Sequence, residues 1–366
     1  MRYGLIICSL FILLTVLAMP SRQHAPHSKP IDSMTLMSYN VENLFDTIND
    51  PDTDDDEFTP EGSKHWTKYR YYHKLEQLAR VISRVGGKHW PALVCLVEVE
   101  NRTVLDDLLR HTALGRKGYR YEITSSPDPR GIDVALLYLP DHFSIEGRWE
   151  HQVQFSLDPE RRSRNLLELK LRLPNDDILY VWAAHWPSRR EGAKATEPYR
   201  RDVARLIRQQ CDSIYAQLDA TGRSSTHFAL MGDLNEEAHE PAIKQELGAL
   251  HHLPAHEDLL SPHLSLYAMM HPAVERHNKR HAPRGSYVYQ RSWSQLDHFI
   301  LSQSLLVHSS HTQYISGSAR NYYASFLGGK DVVAGYPAPY RTYGGPHYMG
   351  GYSDHYPIVL RLRLSY

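Results

Sequence analysis

Carboxylate, amide and imidazole side chains recur in this sequence where apolar, strand-like segments end or begin. The residues at these positions are Asn40, Glu42, Glu98, His185, Asp233, Asn235, Asp297, Asp354 and His355. A polar side chain at the end of a strand lies outside the sheet, while the apolar strand behind it fixes its position. Carboxylate and amide oxygens suit Mg²⁺, Mn²⁺ or Ca²⁺, and histidine transfers protons near neutral pH. The set therefore combines the ligands of a divalent-metal site with groups that can move protons.

Each of these residues, taken alone, also has a structural explanation. An aspartate after a strand commonly forms a turn. Glu98 could lie at a solvated edge, and His355 could be a buried histidine with satisfied hydrogen bonds. Only the combination of carboxylates, amides and two histidines favours a functional site.

The segments that would position these residues alternate between strand-like and helix-like patterns. Apolar runs predict strands over residues 34–40, 92–98, 132–139, 166–173, 178–185, 227–231, 296–301 and 357–364. Helical periodicity predicts helices over 69–85, 101–109 and 197–218, with Asn101 as a cap. Residues 49–62, 251–284 and 316–351 are expected to be long loops. With no break in composition, the pattern favours one mixed α/β domain of stacked sheets covered by helices.

Composition excludes several classes of protein. The chain has 366 residues, 42% hydrophobic and 23% charged, which are values of a globular protein rather than a disordered, collagenous or polytopic membrane one. Its 41 basic and 42 acidic residues leave a net charge of −1, so it is not a protein that coats nucleic acid non-specifically. Any phosphate binding must depend on local charge. Three cysteines cannot form a disulfide framework.

The N-terminus predicts export. Residues 5–19 are nearly all apolar and follow Arg2, a pattern typical of a secretory signal peptide. We therefore expect a signal peptide over 1–20, a polar linker over 21–31 and the domain over 32–366. The protein would be periplasmic or secreted, monomeric, and without stable membrane association once the signal is cleaved. An uncleaved membrane anchor is the alternative, although a spanning helix usually needs about 20 apolar residues.

Seven short motifs resemble those of the endonuclease/exonuclease/phosphatase superfamily, which has the fold of DNase I. They are SYNVENLF (38–45), CLVEVEN (95–101), RGIDVALLY (130–138), HWPSRR (185–190), GDLN (232–235), LDHFILS (296–302) and GYSDHYPI (351–358). GDLN and SDH are weak signals alone. All seven follow the order of the family and extend over nearly the whole chain after the predicted signal.

The resemblance implies a fold, a reaction and a metal site. The fold would be a DNase I-like α/β (α+β) four-layer sandwich of two packed central β-sheets flanked by helices, with the site at one edge. The reaction would be hydrolysis of a phosphoester assisted by a divalent ion, Mg²⁺ first, with Mn²⁺ or Ca²⁺ as alternatives. Glu98 matches the main metal ligand of the family, with Asn40, Glu42 and Asp354 beside it; many members have Asp where Glu42 stands.

The resemblance also implies catalytic roles. Asp233 would polarise the attacking water, and Asn235 would hold the phosphate or the metal. Asp297 would orient His355, and His185 occupies a position where some members have a catalytic histidine. Which histidine acts as the acid stays open.

Two further residues are candidates for contacting the substrate. Arg164 resembles a phosphate-contacting arginine of the family, and guanidinium groups bind phosphate in a bidentate manner. Trp293 could stack on a base or a sugar, or it could pack a loop against its own sheet. The pair Arg189-Arg190 could either hold phosphate or lie on a solvated loop.

Three functional hypotheses stay open at this point. The first is an exported nuclease that cleaves DNA or RNA phosphodiesters, in endo or exo mode. The second is a phosphatase or phosphodiesterase on small-molecule or lipid phosphoesters. The third, a non-catalytic binding module, is disfavoured because the candidate metal ligand, GDLN and SDH are all present.

Overall fold

The computed structural model describes residues 32–87, 89–252, 263–271, 283–307 and 310–366. The chain divides into two units, Met1–Pro30 and Ile31–Tyr366, and all that follows concerns the second. The predicted signal peptide and linker lie outside the described residues, as do parts of the predicted loop 251–284. Within the described ranges, no helix is both long enough and apolar enough to cross a membrane.

The described residues form five α-helices and twenty β-strands, together with short 3-10 and π turns. The helices are α1 Lys68–Val85, α2 Arg102–His111, α3 Ala113–Arg116, α4 Ala193–Ala216 and α5 Ala220–Ser225. The strands are β1 Ser33–Leu44, β2 Leu93–Val99, β3 Arg120–Ile123, β4 Asp133–Tyr138, β5 Ser144–His151, β6 Leu166–Arg172, β7 Ile178–His185, β8 Thr226–Asp233, β9 Ala249–Leu250, β10 Leu266–Ala268, β11 Tyr287–Tyr289, β12 Ser292–Ser294, β13 Asp297–Ser302, β14 Thr312–Tyr314, β15 Arg320–Asn321, β16 Gly328–Val333, β17 Tyr336–Pro339, β18 Tyr343–Gly344, β19 His347–Tyr348 and β20 Ile358–Leu364.

Two sheets of seven strands make up the centre of the domain. The first has the order β14-β20-β1-β2-β4-β3, with β15 also paired to β20. The second has the order β5-β6-β7-β8-β13-β10-β9. Three two-stranded hairpins, β11-β12, β16-β17 and β18-β19, stand apart from both sheets.

The sheets pack face to face because their strands are apolar on both sides. In β2, Leu93 and Cys95 face the second sheet, where they meet residues such as Val181 of β7, in one buried cluster. Val94 faces the opposite way, into a cluster with α1 and α2. The outer face of the second sheet packs against α4 in a third cluster. The predicted four-layer sandwich of helices, two sheets and helices is confirmed.

Strand direction places the predicted site at one edge of this sandwich. β7 and β8 run parallel, so His185 and Asp233 end side by side, and Asp297 opens the antiparallel β13 opposite Asp233. In the first sheet, β1 and β2 also run parallel and end near Asn40 and Glu98, while β20 begins beside β1. The carboxyl ends of parallel strands meet at the same edge of a sheet, which explains why distant motifs converge.

Some elements differ from the sequence prediction. Helix α4 begins at Ala193, one turn before the predicted residue 197, and carries Pro198 inside it. Pro198 lies within the first two turns of α4, where its ring nitrogen has no hydrogen to donate to the helix backbone. Strand β5 lies at a sheet edge with half-exposed residues, so it lacks the apolar run that marks a buried strand. The predicted loop 316–351 contains two of the three hairpins.

Gly232, the first residue of GDLN, is required by the close approach of β7. Its φ is +147°, and a Cβ built there would lie 1.9 Å from the backbone oxygen of Ala184. Real Cβ atoms do not approach an oxygen that closely, so a side chain would push β8 away from β7 directly beside Asp233.

We expect Gly232→Ala to reduce the free energy of unfolding by about 1–3 kcal/mol more than Gly118→Ala, since overpacking costs that much. Gly118 is the matched control: it also has a positive φ, +87°, but nothing lies within 4 Å of its added Cβ. Chemical denaturation of both variants measures the difference. Equal destabilisation would contradict the clash.

Candidate active site

The backbone bends sharply where the strands reach the site. Four residues that are not glycine have left-handed φ values there: Glu42 and Asn43 (both 54°), Glu98 (69°) and Asn235 (50°). Such conformations cost on the order of 1–3 kcal/mol each and persist only where the surrounding structure imposes them. In β1 and β2 they coincide with irregularities in strand pairing. The strained backbone thus lies where β1, β2 and the segment after β8 reach the site.

Asp297 and His355 form a buried hydrogen-bonded pair. Asp297 Oδ2 lies 2.7 Å from His355 Nδ1, and Asp297 is fully buried. The other ring nitrogen, Nε2, lies 3.8 Å from Asp233 Oδ2. The ring of Tyr287 packs on the imidazole, with centroids 4.7 Å apart. The carboxylate of Asp297 thus fixes the orientation of His355, as the sequence predicts, and directs Nε2 towards Asp233.

These contacts change the charge state of His355. Burial lowers its pKa, but the charge of Asp297, their hydrogen bond and the charge of Asp233 outweigh burial and raise the pKa to about 10. His355 is therefore an imidazolium at neutral pH. Burial also raises the pKa of Asp233 to about 7, against the lowering effect of His355.

Asp233 is held from two further sides. Asn40 Nδ2 donates to its Oδ2 at 3.1 Å, and the backbone N–H of Asn235 donates to its Oδ1 at 2.9 Å. The Asn40 amide comes from the first sheet and Asp233 from the second. The side chain of Asn235 points away from Asp233, donating to the backbone oxygen of Trp186 at 3.1 Å.

His185 lies between the two main carboxylates of the site. Its Nε2 is 3.9 Å from Asp233 Oδ2 and 4.0 Å from Glu98 Oε1. Burial and the positive charges of Arg164 and Arg130 lower its pKa well below the usual range. Its Nδ1 is buried and has no hydrogen-bond partner among the described residues. His185 is thus neutral, and its Nε2 faces the space shared by Glu98 and Asp233.

Glu98 is oriented by two residues that the sequence analysis did not nominate. Asn43 N–H donates to its Oε2 at 3.0 Å, and Arg130 Nη2 lies 3.4 Å from its Oε1. Arg130 also donates to Asn43 Oδ1 at 3.2 Å. Arg130 is the first residue of the RGIDVALLY motif, and this motif was the only indication in the sequence that Arg130 belongs to the site. Only the fold shows that its guanidinium reaches Glu98.

Glu42 is bound by the backbone of a segment that lies 300 residues later in the chain. Its two carboxylate oxygens accept hydrogen bonds from the backbone N–H groups of Thr342 and Tyr343, at 2.6 and 3.2 Å. Buried Lys74 of α1 donates to Thr342 Oγ1 at 2.5 Å and to the backbone oxygen of Tyr352 at 2.7 Å. These contacts commit Glu42 to holding the segment that leads to His355, and they do not support its predicted role as a metal ligand.

Burial and mutual charge set the protonation of this inner pair. Burial, with the charge of Asp354, raises the pKa of Glu42 to about 7, whereas Lys74 lowers it. Burial lowers the pKa of Lys74 to about 8, against the raising effect of Glu42 and Asp354. Lys74 is a positioning residue that sequence reasoning missed, because a lysine within a helical pattern is ordinarily exposed.

Asp354 lies at the rim of the site rather than beside Glu98. Its Oδ2 is 3.1 Å from Arg341 Nη2. Arg341 belongs to the segment between β17 and β18, which the sequence analysis treated as a loop. The predicted metal ligand is thus engaged in a half-exposed ion pair next to His355.

Arg164 and Trp293 make contacts that differ from those predicted. Arg164 is buried, with Nη1 on Asp128 Oδ2 at 2.8 Å and Nη2 on the oxygen of Trp186 at 2.6 Å, so it braces the loop after His185. Trp293 stacks on Tyr356 and donates its indole N–H to the oxygen of Val333. It packs a hairpin against the sheet, the structural alternative for this residue.

The donor set fits an open, hydrated divalent ion. In the described part of the chain, no three His, Cys, Asp or Glu side chains are arranged to enclose a metal. Mg²⁺ does not need such a cage, because it keeps several waters and binds through one or two carboxylates plus substrate phosphate. Glu98 and Asn40 would supply the oxygens for such a site: Asn40 Oδ1 accepts one hydrogen bond, from the backbone N–H of Glu42 at 3.0 Å, and keeps a second lone pair.

We expect Asp297→Asn to lower the pKa of His355 by about 1–3 pH units, since an adjacent opposite charge raises it by that much. NMR titration of the imidazole of residue 355, in chelator, measures the change, and His355→Gln assigns the signal. The raised pKa means that wild-type His355 stays charged up to about pH 10. An unchanged titration in Asp297→Asn would refute the charge coupling.

Solved structures of other proteins share this architecture. D. rerio TDP2 with a single-strand DNA product has a TM-score of 0.53 at 14% identity, covering 90% of this chain and 99% of that one. The human Nocturnin catalytic domain has a TM-score of 0.52 at 15% identity, and the match covers 92% of this chain and 97% of that one. A Bacteroides thetaiotaomicron mannosyl-6-phosphatase has a TM-score of 0.51 at 15% identity, and the match covers 90% of this chain and 99% of that one. At such identities the likeness concerns the fold alone.

Sequence comparison assigns the family. No curated protein sequence matches the chain. The model of the endonuclease/exonuclease/phosphatase family, in contrast, matches residues 35–364, which include every residue of the site described above and all of both sheets except the first two residues of β1. The chain therefore belongs to the endonuclease/exonuclease/phosphatase family, whose members are phosphoester hydrolases.

Proposed function

We propose that this protein is a metal-dependent nuclease that hydrolyses phosphodiester bonds of nucleic acid by attack of water. The observation that carries the proposal is the buried Asp297–His355 pair, whose free nitrogen faces Asp233 at 3.8 Å. A charged imidazole and a carboxylate with a pKa near neutrality are the two proton-handling groups that hydrolysis needs. They lie at the same edge as Glu98 and Asn40.

Asp233 is suited to act as the base. Its pKa of about 7 allows it to accept a proton from water near neutral pH, and the amide of Asn40 fixes its orientation. Catalytic groups work best when their pKa lies close to the working pH.

His355 and His185 are suited to bind the ester and to stabilise the charge that develops on it. His355, held as an imidazolium, can donate to a phosphoryl oxygen on which negative charge develops. His185 is neutral and its Nε2 faces Glu98 and Asp233, so it can hold the ester through a hydrogen bond, while the leaving oxygen takes its proton from water. Arg130 places a further positive charge within 3.4 Å of Glu98.

A divalent ion, held by Glu98 and Asn40, would polarise the phosphoryl group as a Lewis acid when bound. The residues of the chain bind and orient the ester, exclude water from the buried pairs and move the protons. Mg²⁺ is the ion we propose, because it tolerates an open site with few protein ligands.

Local positive charge supports a polyanionic substrate. Arg190 is exposed after His185, and its charge acts on both His185 and Tyr287. Arg341 lies on the opposite side, at the rim beside His355. Since the net charge of the chain is −1, these cations form a local phosphate-binding edge rather than a generally basic surface.

We also propose that the protein acts as a monomer outside the cytoplasm. The support for export is the apolar N-terminal run 5–19 that follows Arg2. An exported setting suits an enzyme that degrades free nucleic acid.

Substitution of the central residues tests the mechanism. We expect His355→Gln to reduce kcat on single-stranded DNA by about 10²–10⁴-fold, the contribution of a general acid or base.

We expect Glu98→Gln to raise the Mg²⁺ concentration for half-maximal rate by at least about tenfold, as changes around a metal site do. Exposed His311→Gln and Glu76→Gln are matched controls that should leave both quantities unchanged. Wild-type turnover in His355→Gln would refute the mechanism.

A substrate panel tests the reaction class. Plasmid, single-stranded DNA, RNA, bis-p-nitrophenyl phosphate, p-nitrophenyl phosphate and phospholipid are each incubated with Mg²⁺, Mn²⁺, Ca²⁺ or chelator. We expect cleavage of the polymers and of the diester, abolished by chelator. Turnover of the monoester or phospholipid alone would overturn the nuclease assignment in favour of a phosphatase or lipid phosphodiesterase.

A further inference from the structure

A cavity of about 950 Å³ lies beside the active-site edge. Its walls come from the three hairpins β11-β12, β16-β17 and β18-β19, which belong to neither central sheet. Small-molecule sites typically occupy about 300–1,000 Å³, so the cavity has room for an organic group. The proposed mechanism does not use it.

The cavity begins next to the reacting groups. Asp354, which lines it, directly precedes His355, and Arg341, which also lines it, pairs with Asp354 at 3.1 Å. Val288 lines it too and follows Tyr287, whose ring lies on His355. The lining residues Asp354 and Val288 thus directly adjoin His355 and Tyr287 in the chain, which places the cavity next to the site.

The cavity has an excess of unpaired positive charge. Arg291 and Lys330 are exposed on two different hairpins, and neither has an ion-pair partner among the described residues. Asp331 is the one acidic lining residue not engaged with a cation there, since Asp354 is paired with Arg341. These two unpaired cations and one unpaired carboxylate give the cavity a net positive charge, which favours binding of an anionic group.

The remaining wall is aromatic and apolar. Tyr340, Tyr348 and Met349 line the cavity, and Met349 is 46% exposed. Tyr289 and Val332, beside lining residues of the two other hairpins, are 62% and 53% exposed. Flat rings gain about 1–3 kcal/mol by stacking on such side chains, with little dependence on which base is bound.

We propose that this cavity binds the nucleotide next to the scissile phosphate in a single strand. Its base would pack against Tyr340, Tyr348 and Met349, and its own phosphate would lie at Arg291 and Lys330. The inference rests on the proposed nuclease function and names its substrate. A base enters a cavity walled by three hairpins only when it is unpaired, so a single strand is preferred over a duplex.

Charge removal at the cavity mouth tests the proposal. The variant R291Q/K330Q keeps most of both side-chain stems, and R116Q/K117Q removes two exposed charges at the C-terminal end of α3 as the control. The substrates are a labelled 12-nucleotide single strand, its duplex, and bis-p-nitrophenyl phosphate, which has no second phosphate. For R291Q/K330Q we expect KM for the single strand to rise about tenfold. The kcat/KM for the single strand, divided by the kcat/KM for the diester, should fall by the same factor.

Salt dependence gives a second measurement. Each neutralised phosphate of a single strand contributes about 0.7 to the slope of log affinity against log salt. Loss of the one phosphate contact made by Arg291 and Lys330 should therefore make the slope of log kcat/KM against log salt shallower by about 0.7 in R291Q/K330Q and leave it unchanged in R116Q/K117Q. A second variant, Met349→Glu at a position that is 46% exposed, should raise KM for the single strand, because the carboxylate repels the phosphate and the apolar contact with the base is lost.

The outcomes separate this inference from the proposed function. Failure of the wild type to cleave both diester and DNA would refute the nuclease function itself. Cleavage of both with unchanged KM and salt slope in R291Q/K330Q would overturn the cavity assignment alone, as would equal rates on duplex and single strand. Binding to phosphatidylglycerol vesicles that R291Q/K330Q abolishes, without any change on DNA, would overturn it in favour of a lipid surface.

Discussion

The hydrogen bond between Asp297 and His355 joins the two sheets at the edge where the site lies. Asp297 opens a strand of the second sheet, and His355 precedes the last strand of the first. The contact of Asn40 with Asp233 makes a second bridge of the same kind. Between these polar bridges and the far edge, the interface between the sheets is apolar. The site therefore consists of the polar contacts that complete an otherwise hydrophobic interface, and its geometry follows from how the sheets pack.

This arrangement stores energy that would otherwise stabilise the fold. Glu42, Asn43, Glu98 and Asn235 have left-handed backbones, and the carboxylates of Asp233 and Glu42 are buried with raised pKa values. Burying a charge is unfavourable unless partners compensate it. Lys74, His355 and the backbone N–H groups of Thr342 and Tyr343 supply that compensation. Strain and compensation in one place are typical of a site held ready for its ligand.

Much of the fold and the centre of the site could be predicted from sequence, because local patterns encode them. An apolar run that ends in a carboxylate identifies both a buried strand and the residue at its tip, as with Glu98 and Asp233. The contacts of long side chains from loops depend on tertiary geometry and leave no periodic signal. Arg130, Lys74 and Tyr287 were missed for that reason. Arg164 and Trp293, predicted as candidate substrate contacts, also brace loops, which for Trp293 was the alternative left open. Glu42 occupies a motif position, yet its direction depends on a bend in β1 that the motif does not show.

The division of the site between two sheets has a consequence for how the protein matures. Neither sheet alone holds more than half of these six site residues: Asp233, Asp297 and His185 come with one, and Asn40, Glu98 and His355 with the other. A chain with both sheets formed but not yet docked would have nearly all its secondary structure and no functional centre. Recovery of turnover during renaturation would thus report the final docking of the two sheets. The far-ultraviolet circular dichroism signal would change very little in that step, because it measures secondary structure.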